Sequence, residues 1–282
     1  MNAPSDDVPG VTLNQLVSFL NLAIESSVRA CTAFRCDVAD PRHRYAILLL
    51  YALTDHARVA LTLARAGLFT GIGPITRCAI DAYADLCNVC DDPRYFKHLD
   101  AASAFHWKKL SERASAGGIA ALRALTESEL LPVGRKKFAA ELKALKAEGV
   151  EPLGIDERFE RAKLTDVYQS LYAILSAEAH NNIIELQSRY LDRDEEEAWL
   201  VQPGQFSRRD HNYGRPCTLT MGEMVVKGTE KVLRLFGHGV AAISSAGREL
   251  ERIATLAQAE EARQSRGGIS DALAAAQTPA AS

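Results

Sequence analysis

The apolar residues of this chain recur at helical spacing in one segment after another, and almost no segment alternates like a strand. In one stretch, residues 165–190, a polar row runs beside the apolar stripe. Tyr168, Tyr172, Ser176 and His180 recur there every four residues, so they share one face of a helix. Buried hydroxyl and imidazole groups need hydrogen-bond partners. We therefore expect this helix to pack against another helix that supplies them.

The periodic segments predict an all-α fold, a single multi-helix bundle of about seven or eight helices. The predicted helices cover about 12–35, 42–67, 74–91, 93–116, 119–131, 132–148, 157 or 165 to 192, and 221–264. A short irregular or β-hairpin insertion is expected near 195–220, where residues 199–201 and 218–220 are predicted to pair.

The ends of the chain differ in composition from its middle. Residues 1–10 are polar, and residues 265–282 are rich in Gly, Ser, Ala, Gln and Pro. We predict a disordered N-terminus at 1–10, a helical-bundle domain at 11–264 and a disordered tail at 265–282. Capping boxes are predicted at Thr12 and Thr220, and Gly67 is predicted to end a helix.

Composition limits the function classes. The 282 residues carry a net charge of −3, with 47% hydrophobic and 24% charged residues, as in ordinary globular proteins. The charge argues against a dedicated nucleic-acid coat. The first residues lack the basic start and apolar centre of a signal peptide, and the densest apolar run, residues 45–53, is too short to span a membrane. We expect a cytoplasmic protein with no membrane partner.

The cysteines are expected to be reduced, buried and structural in such a protein. There are six of them: Cys31, Cys36, Cys78, Cys87, Cys90 and Cys217. The C-x-x-C at Cys87 and Cys90 lies inside a helical pattern, and no second pair lies near it, so zinc or redox chemistry is not indicated.

A charged stripe on the predicted helix 74–91 supplies candidate partners for the polar row. Arg77, Asp81 and Asp85 lie at i, i+4 and i+8 on that helix. A solvated face explains such a stripe equally well. If the stripe faces the core, its charges must be paired. We then predict one network of Arg77 and Asp81 with the row that contains Tyr172, Ser176 and His180.

The sequence shows no catalytic, metal or cofactor motif of known spacing. A Ser–His pair on one helix is a poor nucleophile–base arrangement, and G-x-S-x-G is absent. E-x-x-H pairs, H-E-x-x-H and phosphate-binding glycine loops are also absent. A mononuclear site of Asp81, Asp85 and His180 is the alternative, but we predict neither a metal nor a cofactor.

Two spacings resemble a known family. R-x-x-x-[DE] occurs at residues 77–81, and Y-x-x-L-S-x-x-x-H follows some ninety residues later at 172–180. Together they resemble the bacterial domain-of-unknown-function family 5677, with Asp81 where glutamate is expected. The resemblance covers about residues 40–192. It implies an all-helical fold and no settled activity.

In outline that family is similar to the higher-eukaryote-and-prokaryote nucleotide-binding (HEPN) helical superfamily, whose ribonucleases use an R-x(4–6)-H motif. No histidine of this chain has an arginine five to seven residues upstream. A ribonuclease of that type is therefore disfavoured. A loop that mixes cations and aromatics is a separate candidate for nucleic-acid contact, with a solvated loop as the alternative. Its residues are Arg208, Arg209, His211, Tyr213 and Arg215.

Two functions remain open on the sequence. The first is an interaction or ligand-sensing module of a bacterial cell, in stress or phage defence by analogy with helical relatives. The second is an enzyme that acts on RNA or a nucleotide. The partners expected are a second copy of the chain, bound through bundle helices, an RNA, or another protein.

Overall fold

The computed structural model confirms an all-α fold in the part of the chain that it describes. That part comprises residues 11–32, 34, 37, 39–116, 130–180, 182–183, 186–187, 191–193, 199–201 and 208–256. The predicted tails at 1–10 and 265–282, and most of the predicted helix at 119–131, lie outside the described residues.

The helices follow the order of the apolar segments. They are α1 (Leu13–Thr32), α2 (Pro41–Arg65), α3 (Ile72–Asp91), α4 (Phe96–Ala116), α5 (Leu130–Ala147), α6 (Ile155–Arg161), α7 (Thr165–Val167), α8 (Ala173–Ala179), α9 (Arg208–Leu235) and α10 (244–256). A π-helical turn, Tyr168–Tyr172, joins α7 to α8, and 3₁₀ turns occupy Phe69–Gly71 and Val240–Ile243.

Local sequence signals explain two of these helix ends. Thr12 and Gln15 form a reciprocal capping box at the start of α1, since each side chain accepts a hydrogen bond from the other residue's backbone N–H. After α2, Gly67 takes a φ of +70° and Leu68 N donates to Leu63 O at 2.9 Å. That geometry ends a helix and favours glycine because it has no Cβ.

The predicted hairpin exists, but its predicted pairing is wrong. β1 (Leu191–Arg193) pairs antiparallel with β2 (Trp199–Val201), with Asp192 opposite Leu200. Residues 218–220 lie inside α9 instead. The long predicted helix that ends at 192 is also wrong, because α8 stops at Ala179.

α9 begins earlier than predicted. Residues 208–220, predicted as a loop and a strand, are helical, and Pro216 lies inside the helix. The capping box predicted at Thr220 therefore lies in the middle of α9. The predicted helix 221–264 ends at Leu235, before Gly237, and the chain resumes as α10.

The described helices form two compact units. Unit 1 comprises residues 1–34, 52–80 and 174–282, and unit 2 comprises residues 35–51 and 81–173. The single helical-bundle domain over 11–264 stays a prediction.

In unit 1, α1 packs along α9. The core contains Phe19 and Leu20 of α1 together with Met221 and Val225 of α9, all almost fully buried. A buried hydrogen bond from Thr229 Oγ1 to Ser27 Oγ, 2.8 Å long, joins the same helices.

In unit 2, polar contacts join the helices around a core. Arg42 of α2 donates from Nε to Val89 O at 2.9 Å and from Nη2 to Cys90 O, which satisfies carbonyls at the end of α3. Tyr45 OH donates to Asp100 of α4.

α2 is long and apolar enough to cross a membrane when judged by length and composition alone, and 39% of its most apolar window is buried. Core helices of soluble proteins pass the same test.

Candidate functional site

A group of charged side chains in unit 2 lies between α3 and α6. Asp81 and Asp85 stand one turn apart on α3, and Arg158 projects from α6. The side chains are only partly exposed: 26% for Asp81, 13% for Asp85 and 22% for Arg158. We call these three residues, together with Tyr95 and Tyr172, the carboxylate–arginine cluster.

Arg158 binds Asp85 through two parallel hydrogen bonds. Its Nε lies 2.9 Å from Asp85 Oδ1, and its Nη2 lies 2.7 Å from Asp85 Oδ2. The hydroxyl of Tyr95, just before α4, also donates to Asp85 Oδ1 at 2.7 Å. Bidentate, charge-assisted pairs of this kind are among the stronger hydrogen-bond arrangements in proteins.

Arg158 holds Asp81 more loosely than Asp85. Its Oδ1 lies 3.6 Å from Arg158 Nη1, and the Tyr172 hydroxyl lies 3.3 Å from Oδ2 and 3.5 Å from Oδ1. Tyr172 is itself buried and ends the π-helical turn. Arg158 thus bridges two carboxylates, one tightly and one weakly.

The cluster also keeps Tyr95 and Arg158 protonated. Burial raises the pKa of the Tyr95 hydroxyl, and the charge and hydrogen bond of Asp85 raise it further, so Tyr95 stays a donor. Burial alone would lower the pKa of Arg158, but the hydrogen bonds and charge of Asp85, and the charge of Asp81, raise it above its usual range. Arg158 therefore stays a cation.

The surroundings hold the backbone of α6 in place. Asn88 Nδ2 of α3 donates to Arg158 O at 2.8 Å. Phe159, next to Arg158, is fully buried and packs on the rings of Tyr168 and Tyr172, with centroids 5.1 and 5.0 Å away. The short helix α6 is thus anchored on both sides of the arginine.

The structure brings together two residues of the predicted polar network, Asp81 and Tyr172. Arg77, Ser176 and His180 belong to unit 1, and their contact with Asp81 stays a prediction. Arg77 and Ser176 are half-buried, whereas His180 directly follows α8 and is exposed.

The predicted nucleic-acid residues lie in the first turns of α9. The backbone of Arg208, Arg209, His211 and Tyr213 is helical, and their side chains lie outside the described part. Arg215 is half-buried and donates to Val11 O. Their contact with nucleic acid stays a prediction.

Sequence reasoning missed Arg158, Tyr95 and the role of Asp85. Arg158 stands among Asp156, Glu157 and Glu160, a pattern typical of a solvated helix with local ion pairs. No spacing in the sequence links Arg158 to Asp85 of α3, which lies 73 positions earlier.

Five cysteines lie in the part of the chain that the structure describes. Cys87 and Cys217 are buried, Cys31 and Cys90 are half-buried, and Cys78, expected to be buried, is exposed; all five are free thiols. Within the described ranges, no three His, Cys, Asp or Glu side chains are grouped so as to hold a metal ion.

Comparison with known proteins gives one match. Neither the curated proteins nor the solved structures include a match to this chain. A family model described as "Family of unknown function (DUF5677)" matches residues 43–198, more than half of the chain, and that span holds the whole carboxylate–arginine cluster. The chain belongs to the DUF5677 family.

Proposed function

We propose that this protein is a non-catalytic interaction module that binds a polyanionic partner through the helical hairpin of α4 and α5. In this proposal the carboxylate–arginine cluster is a structural device that holds α3, α6 and the start of α4 together. Each part rests on a separate observation.

The closed geometry of the cluster supports a structural role. Both oxygens of Asp85 accept hydrogen bonds from Arg158, and Tyr95 adds a third. A general base needs an oxygen that can take a proton from a substrate, and Asp85 is engaged in the fold instead. Tyr95 is kept protonated. An enzyme that acts on RNA or a nucleotide would need side chains that are available to the substrate and not hydrogen-bonded within the fold.

The cluster also positions α4. Tyr95 immediately precedes α4, and two further contacts hold the first turn of that helix: Lys97 pairs with Glu148, and His98 Nδ1 lies 2.8 Å from Glu151 O. The hydrogen bond of Tyr95 to Asp85 therefore helps to fix the position of α4 within unit 2.

The charge of α4 and α5 is the observation that carries the choice of partner. These two helices hold nine Lys or Arg and three Asp or Glu, a net charge of +6, in a chain whose net charge is −3. Lys109, Arg113, Lys136, Lys137 and Lys143 are exposed. Among the described residues, no carboxylate lies within ion-pair distance of these five. Such a concentration of cations attracts polyanions.

Retention on a heparin column tests the proposal. The wild-type protein is expected to bind at low salt at pH 7.5, where its net charge is negative. The triple variant Lys109→Gln, Lys136→Gln, Lys137→Gln is expected to elute at clearly lower salt, because it loses three of the cations that face the polyanion.

A matched variant controls for total charge. Lys163→Gln, Lys227→Gln, Arg248→Gln removes three exposed cations outside the hairpin and is expected to elute with the wild type. Equal shifts for both triple variants, or no retention of the wild type, would refute a binding surface on α4 and α5.

The remaining expectations stay proposals. They include a cytoplasmic location and a bacterial host. A role in stress or phage defence has the support of analogy with helical relatives.

A further inference from the structure

Two aromatic rings are exposed on the cationic hairpin. Phe105 and Trp107 of α4 are each 43% exposed. Large aromatic side chains are usually buried, and their exposure beside cations is a separate feature from charge alone.

Each ring lies beside a basic or aromatic neighbour. Lys109 Nζ lies 4.8 Å from the centroid of the Phe105 ring, a cation–π contact. The Trp107 ring stacks on Phe138 of α5 at 6.4 Å and 19°, and it meets His106 edge-on at 5.9 Å. These contacts hold both rings at the surface.

The lysines of α5 lie beside the same part of α4. Trp107 pairs with Phe138, and Lys97 pairs with Glu148, so the two helices run antiparallel. This register places Lys136 and Lys137 next to the turn of α4 that carries Lys109. Phe105 and Lys109, four residues apart, share one face of α4, whereas Trp107, two residues after Phe105, lies on the side toward Phe138 of α5. Exposed rings and cations therefore occur on two sides of α4 within a few turns of the hairpin.

We propose that the polyanion bound by this hairpin is single-stranded nucleic acid, with bases stacked on Phe105 and Trp107 and phosphates paired with Lys109, Lys136 and Lys137. This inference rests on the proposed polyanion-binding function. Stacking platforms flanked by cations are the means by which proteins bind single strands without reading sequence.

The arrangement favours a single strand over two other polyanions. A duplex keeps its bases stacked on each other, so it has no free base face for Phe105 or Trp107. A membrane-surface helix presents a continuous apolar face below its cations. The solvent face of α4 instead carries Phe105, Lys109 and Arg113 at successive turns.

Fluorescence anisotropy with labelled 20-nucleotide oligo(U) and oligo(dT) measures the binding. The Phe105→Leu and Trp107→Leu variants are each expected to weaken it by about 5- to 100-fold. Tyr51→Leu, which changes an equally exposed ring on α2, is the matched control and is expected to bind like the wild type. Circular dichroism and melting temperature confirm that each variant is folded.

Trp107 gives a second readout. The chain has two tryptophans, so the Trp199→Phe variant leaves Trp107 as the only one. Its fluorescence is expected to be quenched when oligo(U) binds, because a stacked base quenches indole emission. The Lys109, Lys136, Lys137→Gln variant is expected to flatten the slope of log affinity against log salt by about 2.

The outcomes separate this inference from the proposed function. The single-strand assignment alone would be overturned by the following combination. The wild type is retained on heparin and binds a 20-base-pair duplex as tightly as the single strands, the ring variants bind like the wild type, and the Trp107 fluorescence is not quenched. Binding to phosphatidylserine vesicles without binding to either oligonucleotide would also overturn it, in favour of a membrane. Loss of heparin retention would overturn the proposed function itself. Binding of one or both oligonucleotides with loss in the ring variants supports the inference.

Discussion

Arg158 balances the charge of two carboxylates in unit 2. It neutralises Asp85 through two short hydrogen bonds and bridges toward Asp81. Replacing one member of such a pair leaves a poorly solvated charge without its partner, which costs more than the pair contributes. Asp85→Asn and Arg158→Met are each expected to lower the free energy of unfolding by about 2–4 kcal/mol. The double variant is expected to lose about 1–3 kcal/mol less than the sum, measured by urea denaturation.

A second pair on the same helix supplies the control for this cycle. Glu157 and Arg161 lie 2.8 Å apart on α6, and their side chains are 48% and 40% exposed. The coupling between Glu157→Gln and Arg161→Met is expected to be at most about 0.5 kcal/mol. Coupling energies of the same size for both pairs would contradict a structural role for the cluster.

Thiol reactivity tests how far the fold shields the half-buried Cys31. Burial raises the pKa of Cys31 to about 11, although a hydrogen bond with Ser27 opposes part of that rise. Because the thiolate is the nucleophile, a variant whose only cysteine is Cys31 is expected to react very slowly with Ellman's reagent at pH 8. Its rate is expected to climb until the pH reaches about 11.

A variant whose only cysteine is the exposed Cys78 is the comparison and is expected to react much faster at pH 8. Equal rates at pH 8 would show that Cys31 is not shielded in the way that the fold indicates.

The sequence predicted the contact of two of the five cluster residues, Asp81 and Tyr172, and the reason is the range of the interactions. Asp81 and Tyr172 stand out because each lies in a periodic row on an otherwise apolar helix, which is a local signal. Arg158 has no such signal, since its acidic neighbours in the chain offer it equally good local partners. Its choice of Asp85 is decided by tertiary packing.

At the scale of helices, α1 and α9 approach each other closely at Gly222. A Cβ there would lie 2.3 Å from Phe19 Cε1, and Phe19 is buried. Gly222→Ala is therefore expected to destabilise the protein by about 1–3 kcal/mol, although alanine has the higher helix propensity. Thermal denaturation measures the loss, and adding Phe19→Leu is expected to recover part of it.

Gly247 of α10 provides the matched glycine. The nearest atom to a Cβ at that position is Glu230 Oε1, at an ordinary 3.8 Å. Gly247→Ala is expected to stabilise the protein by about 0.5–1 kcal/mol. If Gly222→Ala also stabilised the protein, that result would exclude a tight contact at Gly222.

Most helices could be predicted from periodicity to within a few residues, because their apolar faces are local patterns. The start of α9 could not. Pro216, the glycines and the polar residues of 202–216 are typical of a loop, yet the helix begins at Arg208. Buried side chains later in α9, such as Cys217 and Met221, show that packing outweighs the cost of a proline. The end of α8 at Ala179 could not be predicted either, because the apolar pattern of the sequence continues beyond it.

Across the whole molecule, charge is unevenly distributed. The +6 on α4 and α5 leaves −9 for the rest of a chain whose net charge is −3 and whose isoelectric point is about 6.2. The net charge of the chain therefore does not predict which charged partners the hairpin of α4 and α5 attracts. Local fields of opposite sign act between molecules over about one Debye length, roughly 10 Å at 0.1 M salt.

This distribution predicts salt-sensitive self-association near the isoelectric point. At pH 6.2 and about 20 mM salt, where repulsion between net charges vanishes, the cationic hairpin of one copy is expected to attract acidic residues outside the hairpin of another. The mass from multi-angle light scattering is expected to exceed that of one chain and to fall to it at about 0.3 M salt. The Lys109, Lys136, Lys137→Gln variant is expected to associate less at low salt. A homodimer formed through bundle helices has an apolar interface instead, so its mass does not depend on salt. A mass of two chains at both salt concentrations, for the wild type and the variant alike, would contradict the electrostatic account and favour that dimer.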